Sequence, residues 1–296
     1  MITINECPIC KTSGLQEFLR CRDYTVSHET FDINRCPVCT LAITTPRPEN
    51  SKLGEYYQSE EYISHSGRSS GGIGILYRIA RNFSLTWKRV KIQRYKQTGT
   101  ILDVGCGTGE FLSTMKNSGW KVEGMEVSDV ARKKAENLIG QTISQELNNI
   151  SNNQFEVITA WHVIEHIPDL LPTIQKLKQL LNKDGILFIA VPNYESYDAQ
   201  QYKEKWAGYD VPRHLWHFSK KSMESMLQHT GLKLLDILPM KLDSYYVSML
   251  SEKYSNQKAS AIVTLFKGFF TGTTSNIKAG KTNYSSLIYV TKINEN

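Results

Sequence analysis

The chain has 296 residues, which is long enough for one α/β domain and a smaller module. Apolar residues make up 40% and charged residues 22% of the sequence, and no apolar run is long enough to span a membrane. The net charge of +6 permits an anionic partner without requiring one. The N-terminus lacks the basic start and apolar run of a secretory signal, so we expect a cytoplasmic protein.

Two Cys-Pro-x-Cys units lie near the N-terminus, at positions 7–10 and 36–39. Each unit places two thiolates on one tight turn, and four thiolates brought together suit a tetrahedral zinc site. In the cytoplasm, where thiols stay reduced, metal ligation is favoured over disulfide formation. We therefore expect a Zn²⁺ ion on Cys7, Cys10, Cys36 and Cys39, with iron as the alternative metal.

The segment between the cysteine pairs predicts a β-hairpin, because residues 17–20 and 30–35 alternate or run apolar. A module of this size buries little core and usually needs a metal. Four thiolates also close the coordination shell, so the metal is expected to be structural. The sequence thus predicts a zinc-ribbon-like module over residues 1–44, for which RNA recognition is the alternative role.

Residues 45–97 are predicted to be a linker followed by a basic amphipathic helix. A glycine- and serine-rich break over residues 66–74 indicates either a simple loop or a mobile cover. From Ile75 to Lys96 apolar residues recur at helical spacing, and seven Lys or Arg residues with no acid lie between Arg78 and Lys96. This predicts packing against a sheet, with charges that are either solvated or attract phosphate in nucleic acid, nucleotide-sugar or membrane lipid.

Residues 103–109, Asp-Val-Gly-Cys-Gly-Thr-Gly, join a run of β-prone residues to a helical pattern that begins at Glu110. This predicts the first strand, turn and helix of a doubly wound α/β sheet, with a ligand close to the glycines and the helix N-terminus. Glu126 ends a second predicted strand 21 residues after Gly105, where a carboxylate can bind a ribose diol. Asp103, before the first glycine, suits a cationic ligand better than a diphosphate.

This motif resembles the first motif of the class I S-adenosylmethionine-dependent methyltransferases, and Glu126 matches the acidic residue that holds the ribose in that family. Residues 155–158 and 163–168 resemble the fourth-strand region of the type 23-like branch, which includes the quinone-biosynthesis O-methyltransferases. The resemblance covers roughly residues 75–240. It implies a seven-stranded Rossmann-like α/β sheet within 98–296 and S-adenosylmethionine as cofactor, bound by Asp103, Gly105, Cys106, Gly107, Gly109, Glu126, Val127, Glu146 and Trp161.

The later elements follow the same plan. Strands are predicted over residues 141–143, 155–160, 185–191, 232–238 and 285–291, and the resemblance places the last one antiparallel between the fifth and sixth. Helices are predicted from Ser128 or Asp129, from Pro172 and from Ser219. The sequence pattern of residues 241–284 gives fewer predictions. Residues 245–254 indicate a helix, and the rest is expected to complete a pocket or an interface.

Residues 193–218 form an insertion rich in aromatic and histidine side chains after the fifth strand. It predicts a lid with the aromatic walls of a small-molecule pocket, and residues 210–218 resemble a segment of methyltransferases from cell-surface sugar and lipid pathways. The alternative is that the aromatics form the core of the lid and its histidines bond to backbone carbonyls. A hydroxyl acceptor needs a general base, for which His162, His214 and His217 are the candidates.

The sequence therefore predicts an S-adenosylmethionine-dependent methyltransferase acting by in-line transfer to oxygen or nitrogen of a small molecule, such as a sugar, lipid or surface-polysaccharide intermediate. One alternative is an RNA methyltransferase that uses the zinc module and the basic helix. Another is a non-catalytic protein that only binds S-adenosylmethionine. A nucleic-acid partner is not preferred, and peripheral contact with a membrane stays open.

Overall fold

The computed structural model describes residues 1–58, 72–150 and 154–294, with the side chains of residues 72–80 left out. Most of the glycine- and serine-rich break predicted over 66–74 lies outside these ranges. The strands are β1 (Gln16–Arg22), β2 (Thr30–Arg35), β3 (Ala42–Thr44), β4 (Thr100–Val104), β5 (Lys121–Met125), β6 (Phe155–Trp161), β7 (Leu181–Pro192), β8 (Trp216–His217), β9 (Leu232–Pro239) and β10 (Ser286–Ile293).

The helices are α1 (Gly72–Gln93), α2 (Glu110–Lys116), α3 (Asp129–Ile139), α4 (Leu170–Leu180), α5 (Tyr197–Tyr202), α6 (Lys220–Thr230), α7 (Asp243–Ser255) and α8 (Ala261–Lys278). A 3₁₀ helix covers Asn50–Tyr57, within the segment predicted to be a linker. Within the described ranges, no helix is long and apolar enough to cross a membrane.

The main sheet has the order β5-β4-β6-β7-β10-β9. β5, β4, β6 and β7 are parallel, whereas β10 runs antiparallel between β7 and β9, as the resemblance predicted. Its inner strands read as continuous apolar runs because both faces are covered: Val157 and Ile158 are both buried, as are Phe188 and Ile189. The sheet and its flanking helices form a Rossmann-like α/β fold.

The strand predicted over residues 141–143 is reduced to a single parallel bridge between Met125 and Ser144. Gly140 ends α3 in the left-handed conformation, and the Gln141 side chain donates a hydrogen bond to the carbonyl of Val122 at 2.5 Å. Because this side chain occupies a carbonyl of the edge strand β5, the backbone ladder does not extend. The described main sheet thus has six strands, with the seventh position marked by this bridge.

A second sheet combines the N-terminal cysteine segment with the aromatic insertion. β1, β2 and β3 are antiparallel, and β3 also pairs with β8, so that Ala42 lies opposite His217 and Ile43 opposite Trp216. The hydroxyl of Tyr194 donates to the carbonyl of Thr40 at 2.5 Å. The N-terminal segment is therefore joined to residues 193–218 by backbone pairing.

Arg213 is the buried ionic link between these two segments. Its Nη2 atom lies 2.9 Å from Oδ1 of Asp23 and 2.6 Å from Oδ1 of Asp210, and its Nη1 donates to the carbonyl of Tyr56 at 2.9 Å. Although burial opposes ionisation, the Arg213 guanidinium holds the pKa of the Asp23 carboxyl well below its usual range. This charge pairing compensates for the desolvation of groups that would otherwise not be buried.

We predict that Arg213→Met destabilises the fold by about 3–5 kcal/mol, because it leaves a carboxylate at Asp23 buried without its cation. Urea unfolding followed by tryptophan fluorescence measures the change.

The matched control is Arg20→Met, whose partner is Asp32 and whose two side chains are 73% and 49% exposed. An exposed pair of this kind contributes about 1 kcal/mol or less. Equal unfolding midpoints for the two variants would contradict the role assigned to Arg213.

Candidate active site

The glycine turn lies at the carboxyl ends of β4, β5 and β6. The backbone N–H groups of Gly105 and Cys106 both donate to the carbonyl of Met125, at 2.8 and 3.0 Å, which ties the turn to the end of β5. Gly105, Gly107 and Gly109 all have positive φ angles, which explains why glycine occupies these positions. The turn therefore ends at the N-terminus of α2 with its backbone exposed along one side.

The three glycines of the turn have different structural roles. A Cβ added at Gly105 would lie 2.5 Å from Cγ2 of Val163, and one at Gly109 would lie 3.0 Å from Ala135, so both glycines allow internal packing. A Cβ at Gly107 would meet nothing within 4 Å. This open space lets a ligand approach the backbone at Gly107.

Glu126 faces the same turn from the end of β5. Its Oε2 accepts the N–H of Gly107 and its Oε1 accepts the N–H of Ser128, each at 2.9 Å. These bonds fix both carboxylate oxygens at the site. Because a carboxylate oxygen carries two lone pairs, each can also accept a hydroxyl of a ribose diol.

Asp103 lies under the turn, almost completely buried, and accepts a hydrogen bond from the Thr159 hydroxyl at 2.6 Å. Burial raises the pKa of Asp103 to about 7, although the Thr159 hydrogen bond and the charge of Lys88 act in the opposite direction. A cation in the site would favour the ionised carboxylate. This position therefore fits a ligand that carries a positive charge, as a sulfonium does.

Trp161 ends β6 beside this carboxylate. Its ring packs edge-on against Phe111, and Nζ of Lys88 lies 4.3 Å from the Trp161 ring centroid. The Nε1 atom of Trp161 is buried without a hydrogen-bond partner. Burial lowers the pKa of the Lys88 ammonium. The Lys88 ammonium thus already covers one face of the Trp161 ring, and the indole N–H is an unused donor at the edge of the site.

The remaining predicted cofactor residues, Cys106, Val127 and Glu146, differ in burial. The side chain of Cys106 is buried under the turn, whereas Val127 and Glu146 are exposed, just beyond the ends of β5 and of the bridge at Ser144. The structure thus brings Asp103, the glycine turn and Glu126 together and places Glu146 at the edge.

His162 lies directly after β6, between two carboxylates. Its Nδ1 is 3.1 Å from Oε1 of Glu165, and its Nε2 is 2.9 Å from Oδ2 of Asp243 at the start of α7. Burial opposes protonation, but the bonds to Asp243 and Glu165 raise the pKa of His162 to about 10. In this arrangement His162 is an imidazolium, about one third exposed, at the edge of the site.

The histidines of the insertion have internal partners. Nδ1 of His214 lies 2.9 Å from the carbonyl of Gly208, and Nε2 of His217 lies 2.9 Å from the Thr44 hydroxyl. Burial lowers the pKa of His217 well below its usual value, with a smaller effect from His214. Both rings are buried, and His217 belongs to β8 of the second sheet, whereas His162 directly follows β6 of the main sheet.

A carboxylate and two imidazoles meet between these histidines. Glu165, His166 and His214 each offer one ligand atom, and these atoms lie within 4.8 Å of one another. Nδ1 of His166 donates to the carbonyl of Arg213 at 3.1 Å, and burial lowers the pKa of His166 to about 4. Since Oε2 of Glu165 is buried without a partner, this group could by its chemistry hold a divalent cation.

The four predicted metal ligands converge. Sγ of Cys7 lies 3.4 Å from that of Cys39, Sγ of Cys10 lies 3.4 Å from that of Cys36, and all four sulfurs lie within 4.8 Å of one another. A tetrahedral zinc ion with bonds of about 2.3 Å needs sulfurs about 3.8 Å apart. The cluster fits such an ion and leaves no ligand position for a substrate.

The aromatic insertion packs mainly against strands β1, β2 and β3 of the second sheet. Trp206, Tyr209 and Tyr194 form one core with Phe31 and Ile33 of β2. A three-stranded sheet has too little apolar surface of its own, so the insertion covers the face that the sheet would leave exposed. The aromatics that were expected to line a pocket are thus largely interior side chains.

Four residues that contact the predicted site residues were not predicted from the sequence: Thr159, Lys88, Glu165 and Asp243. Thr159 and Lys88 lay in segments read only as a strand and a basic helix. Asp243 is 81 residues from His162 along the chain and lies in the stretch that gave little signal. Only its position ahead of an expected helix, where an acidic residue is favourable, distinguishes it.

The comparisons agree with this geometry. A protein-family model with the description "Methyltransferase domain" matches residues 76–237 of this chain. Ubiquinone biosynthesis O-methyltransferase of Actinobacillus pleuropneumoniae is 38% identical over 107 residues, which cover 31% of this chain and 45% of the relative. The mitochondrial protein of that name from Bos taurus is 30% identical over 159 residues, covering 47% of this chain and 43% of the relative.

The chain thus spans less than half the length of these curated relatives. Among solved structures, magnesium protoporphyrin IX methyltransferase from Synechocystis PCC 6803 with bound SAH superposes with a TM-score of 0.53 at 12% identity. The match covers 83% of this chain and 100% of that one. At this identity the likeness supports the fold alone.

We predict that Glu126→Ala weakens binding of S-adenosylhomocysteine by about 1–3 kcal/mol, because the ribose hydroxyls lose their carboxylate acceptor. Isothermal titration calorimetry measures the dissociation constant. Lys121→Ala, at the exposed opposite end of β5, should bind as the wild type does. An unchanged constant in Glu126→Ala would remove Glu126 from the ribose site.

We predict that Asp243→Asn lowers the pKa of His162 from about 10, because the neutral amide no longer favours the imidazolium. NMR titration of the imidazole measures it. Since the folded-state pKa is raised, the pairing stabilises the fold fully below about pH 6.5, the unfolded value. That stabilisation is lost as the pH rises through about 10.

Asp236→Asn on β9, where the carboxylate accepts a bond from Tyr95, is the matched control and should leave the His162 titration unchanged. If His162 titrates identically in Asp243→Asn and in the wild type, the contact with Asp243 does not govern its charge.

Proposed function

Because the chain belongs to the S-adenosylmethionine-dependent methyltransferase family, we propose that it transfers the cofactor's methyl group to a small-molecule acceptor. The observation that carries this proposal is the open approach at Gly107, flanked by the carboxylates of Asp103 and Glu126 at one sheet edge. A buried carboxylate beside a ribose-binding one suits a nucleoside that carries a positive charge.

The acceptor class in this proposal is a sugar, lipid or surface-polysaccharide intermediate, methylated on oxygen or nitrogen. The curated relatives are named for O-methylation in ubiquinone biosynthesis, which favours a small acceptor with a hydroxyl group. The segment 210–218 supports a surface sugar or lipid by its resemblance alone.

The bound cofactor supplies an activated methyl group, so the chain's residues mainly position the two reactants and exclude water. We assign the proton-accepting role to His162 rather than to His214 or His217. Glu165 orients its Nδ1, and an acceptor hydroxyl that replaces Asp243 would face Nε2. Release from Asp243 removes one of the two carboxylates that keep this imidazole protonated, which lowers its pKa. The Nε2 proton then leaves to solvent, and the neutral ring can accept the proton of the acceptor hydroxyl.

His214 and His217 are proposed as structural residues of the second sheet, since both rings bond to internal groups. Zinc is proposed as the structural ion of the four cysteines. Thiols that serve as ligands need a reducing compartment, which supports the cytoplasm as the proposed location.

The RNA alternative uses the zinc module for recognition, together with the positive charges of α1. Several of these charges have partners within the protein: Arg81 pairs with Glu110 at 3.2 Å, Arg89 donates to Ser118 at 3.2 Å, and Lys88 turns toward Trp161. Charges engaged in this way are less available to phosphates. We therefore keep the small molecule as the proposed substrate class.

We predict that label from methyl-tritiated S-adenosylmethionine enters the lipid fraction or the polar small-molecule fraction of a cell extract, and not RNA or protein. The measurement is scintillation counting of the four separated fractions. His162→Asn should lower the rate by a factor of about 10²–10⁴, the usual contribution of a general base, while S-adenosylhomocysteine still binds.

Gly107→Arg serves as the blank for methyl transfer. Its side chain would enter the open space at the turn, where the cofactor is proposed to approach, without a clash inside the protein. His217→Gln is the matched control for His162→Asn and should keep its turnover. Label in RNA would overturn the proposed substrate class, and full turnover in His162→Asn would overturn the proposed base.

A further inference from the structure

Helix α8 is packed with its small residues inward and its large apolar residues outward. Gly268, Gly272 and Ser275 are its buried residues. The exposed set is Ile262, Val263, Leu265, Phe266, Phe269, Phe270 and Ile277, and the exposed fractions of Phe266 and Phe270 are 75% and 73%. This is the reverse of an ordinary surface helix, whose apolar stripe faces the core.

Close backbone contact with α7 fixes this orientation. A Cβ at Gly268 would lie 2.6 Å from Cα of Met249, and one at Gly272 would lie 2.9 Å from Cα of Tyr245. The Ser275 hydroxyl donates to Asp198 at 2.7 Å. Glycines spaced four residues apart allow helices to approach this closely where packing, and not burial of large side chains, holds them together. The helix cannot turn its phenylalanines inward without a clash.

Seven large apolar side chains on one helix form a patch of the kind that marks an interaction site. We call these seven residues the α8 face. It lies between β9 and β10, outside residues 76–237 that the family model matches, so the matched methyltransferase core does not account for it.

The charge around the α8 face indicates the partner. Between Glu252 and Glu295 the sequence has no acidic residue and six lysines. Lys258, Lys267 and Lys278 are exposed, and Lys267 directly follows Phe266. An apolar face on a helix that carries lysines and no acidic residue complements an anionic lipid surface, where rings enter the acyl boundary and ammonium groups meet the headgroups. A second copy of the chain would instead bring lysines against lysines.

We propose that the α8 face docks this protein onto the surface of a membrane that contains anionic lipids. The helix lies in the plane of the interface, since none of the described helices can cross a bilayer. The phenylalanines supply apolar burial and the lysines supply attraction to phosphate headgroups. This proposal does not depend on which acceptor is methylated.

The test is co-sedimentation of the full chain with phosphatidylcholine vesicles, with and without phosphatidylglycerol. The wild type should bind the phosphatidylglycerol vesicles and release from them as salt is raised. Phe266→Ser/Phe270→Ser should weaken this binding by about tenfold or more, because two exposed rings no longer enter the bilayer. Leu138→Ser, which alters an exposed apolar residue of α3, is the matched control and should bind as the wild type does.

A charge variant tests the other half of the proposal. Lys258→Gln/Lys267→Gln should lower the affinity for phosphatidylglycerol by about fivefold for each lysine removed. Binding of S-adenosylhomocysteine, measured in parallel, reports that each variant is folded and is expected to stay unchanged. A failure of the proposed enzymatic function would leave the vesicle result as it is.

Equal binding to both kinds of vesicle, or none to either, would overturn the proposal, as would wild-type binding by Phe266→Ser/Phe270→Ser. Light scattering after gel filtration gives a further outcome. A dimer of the wild type that becomes a monomer in Phe266→Ser/Phe270→Ser would assign the α8 face to a second copy of the chain.

Discussion

The burial of the Arg213 guanidinium between Asp23 and Asp210 is the interaction on which the arrangement around the site depends. Asp23 follows β1, whereas Arg213 and Asp210 belong to the segment that leads into β8. The pair therefore fixes the cysteine segment against the insertion, and β3–β8 pairing continues the same contact. Because Leu215 of this segment donates its N–H to the carbonyl of Glu165, the second sheet also supports the loop that orients His162.

Local chemistry made the glycine turn predictable. A β-prone run, three glycines and a helical pattern all specify strand, turn and helix within a few residues, and Glu126 follows at a spacing set by one helix and one strand. The metal site of the four cysteines was equally predictable, since the ligand type and the spacing of the residues are both visible in the sequence. These features depend on neighbours in the sequence, so no knowledge of distant contacts was needed.

Contacts between distant segments were not predictable in this way. Nothing near His162 indicates that Asp243 reaches it, and nothing in the aromatic insertion shows that its rings cover β2. Helix α8 shows the same limit most clearly. The stretch that contains it was expected to complete a pocket or an interface, but which side of the helix faces outward depends on two glycines that contact α7. The pairing that decides burial is long-range, and periodicity alone does not encode it.

Helix α7 joins the proposed base to the proposed membrane face. It begins at Asp243, which contacts His162, and continues through Tyr245 and Met249, whose backbone meets the glycines of α8. Moving this helix would break close contacts along its length, whereas rotating the partly exposed Asp243 side chain breaks one ion pair. An acceptor that replaces Asp243 at His162 therefore needs only this rotation. The close contacts between α7 and α8 need not change in this rotation, so the α8 face keeps its position when Asp243 leaves His162.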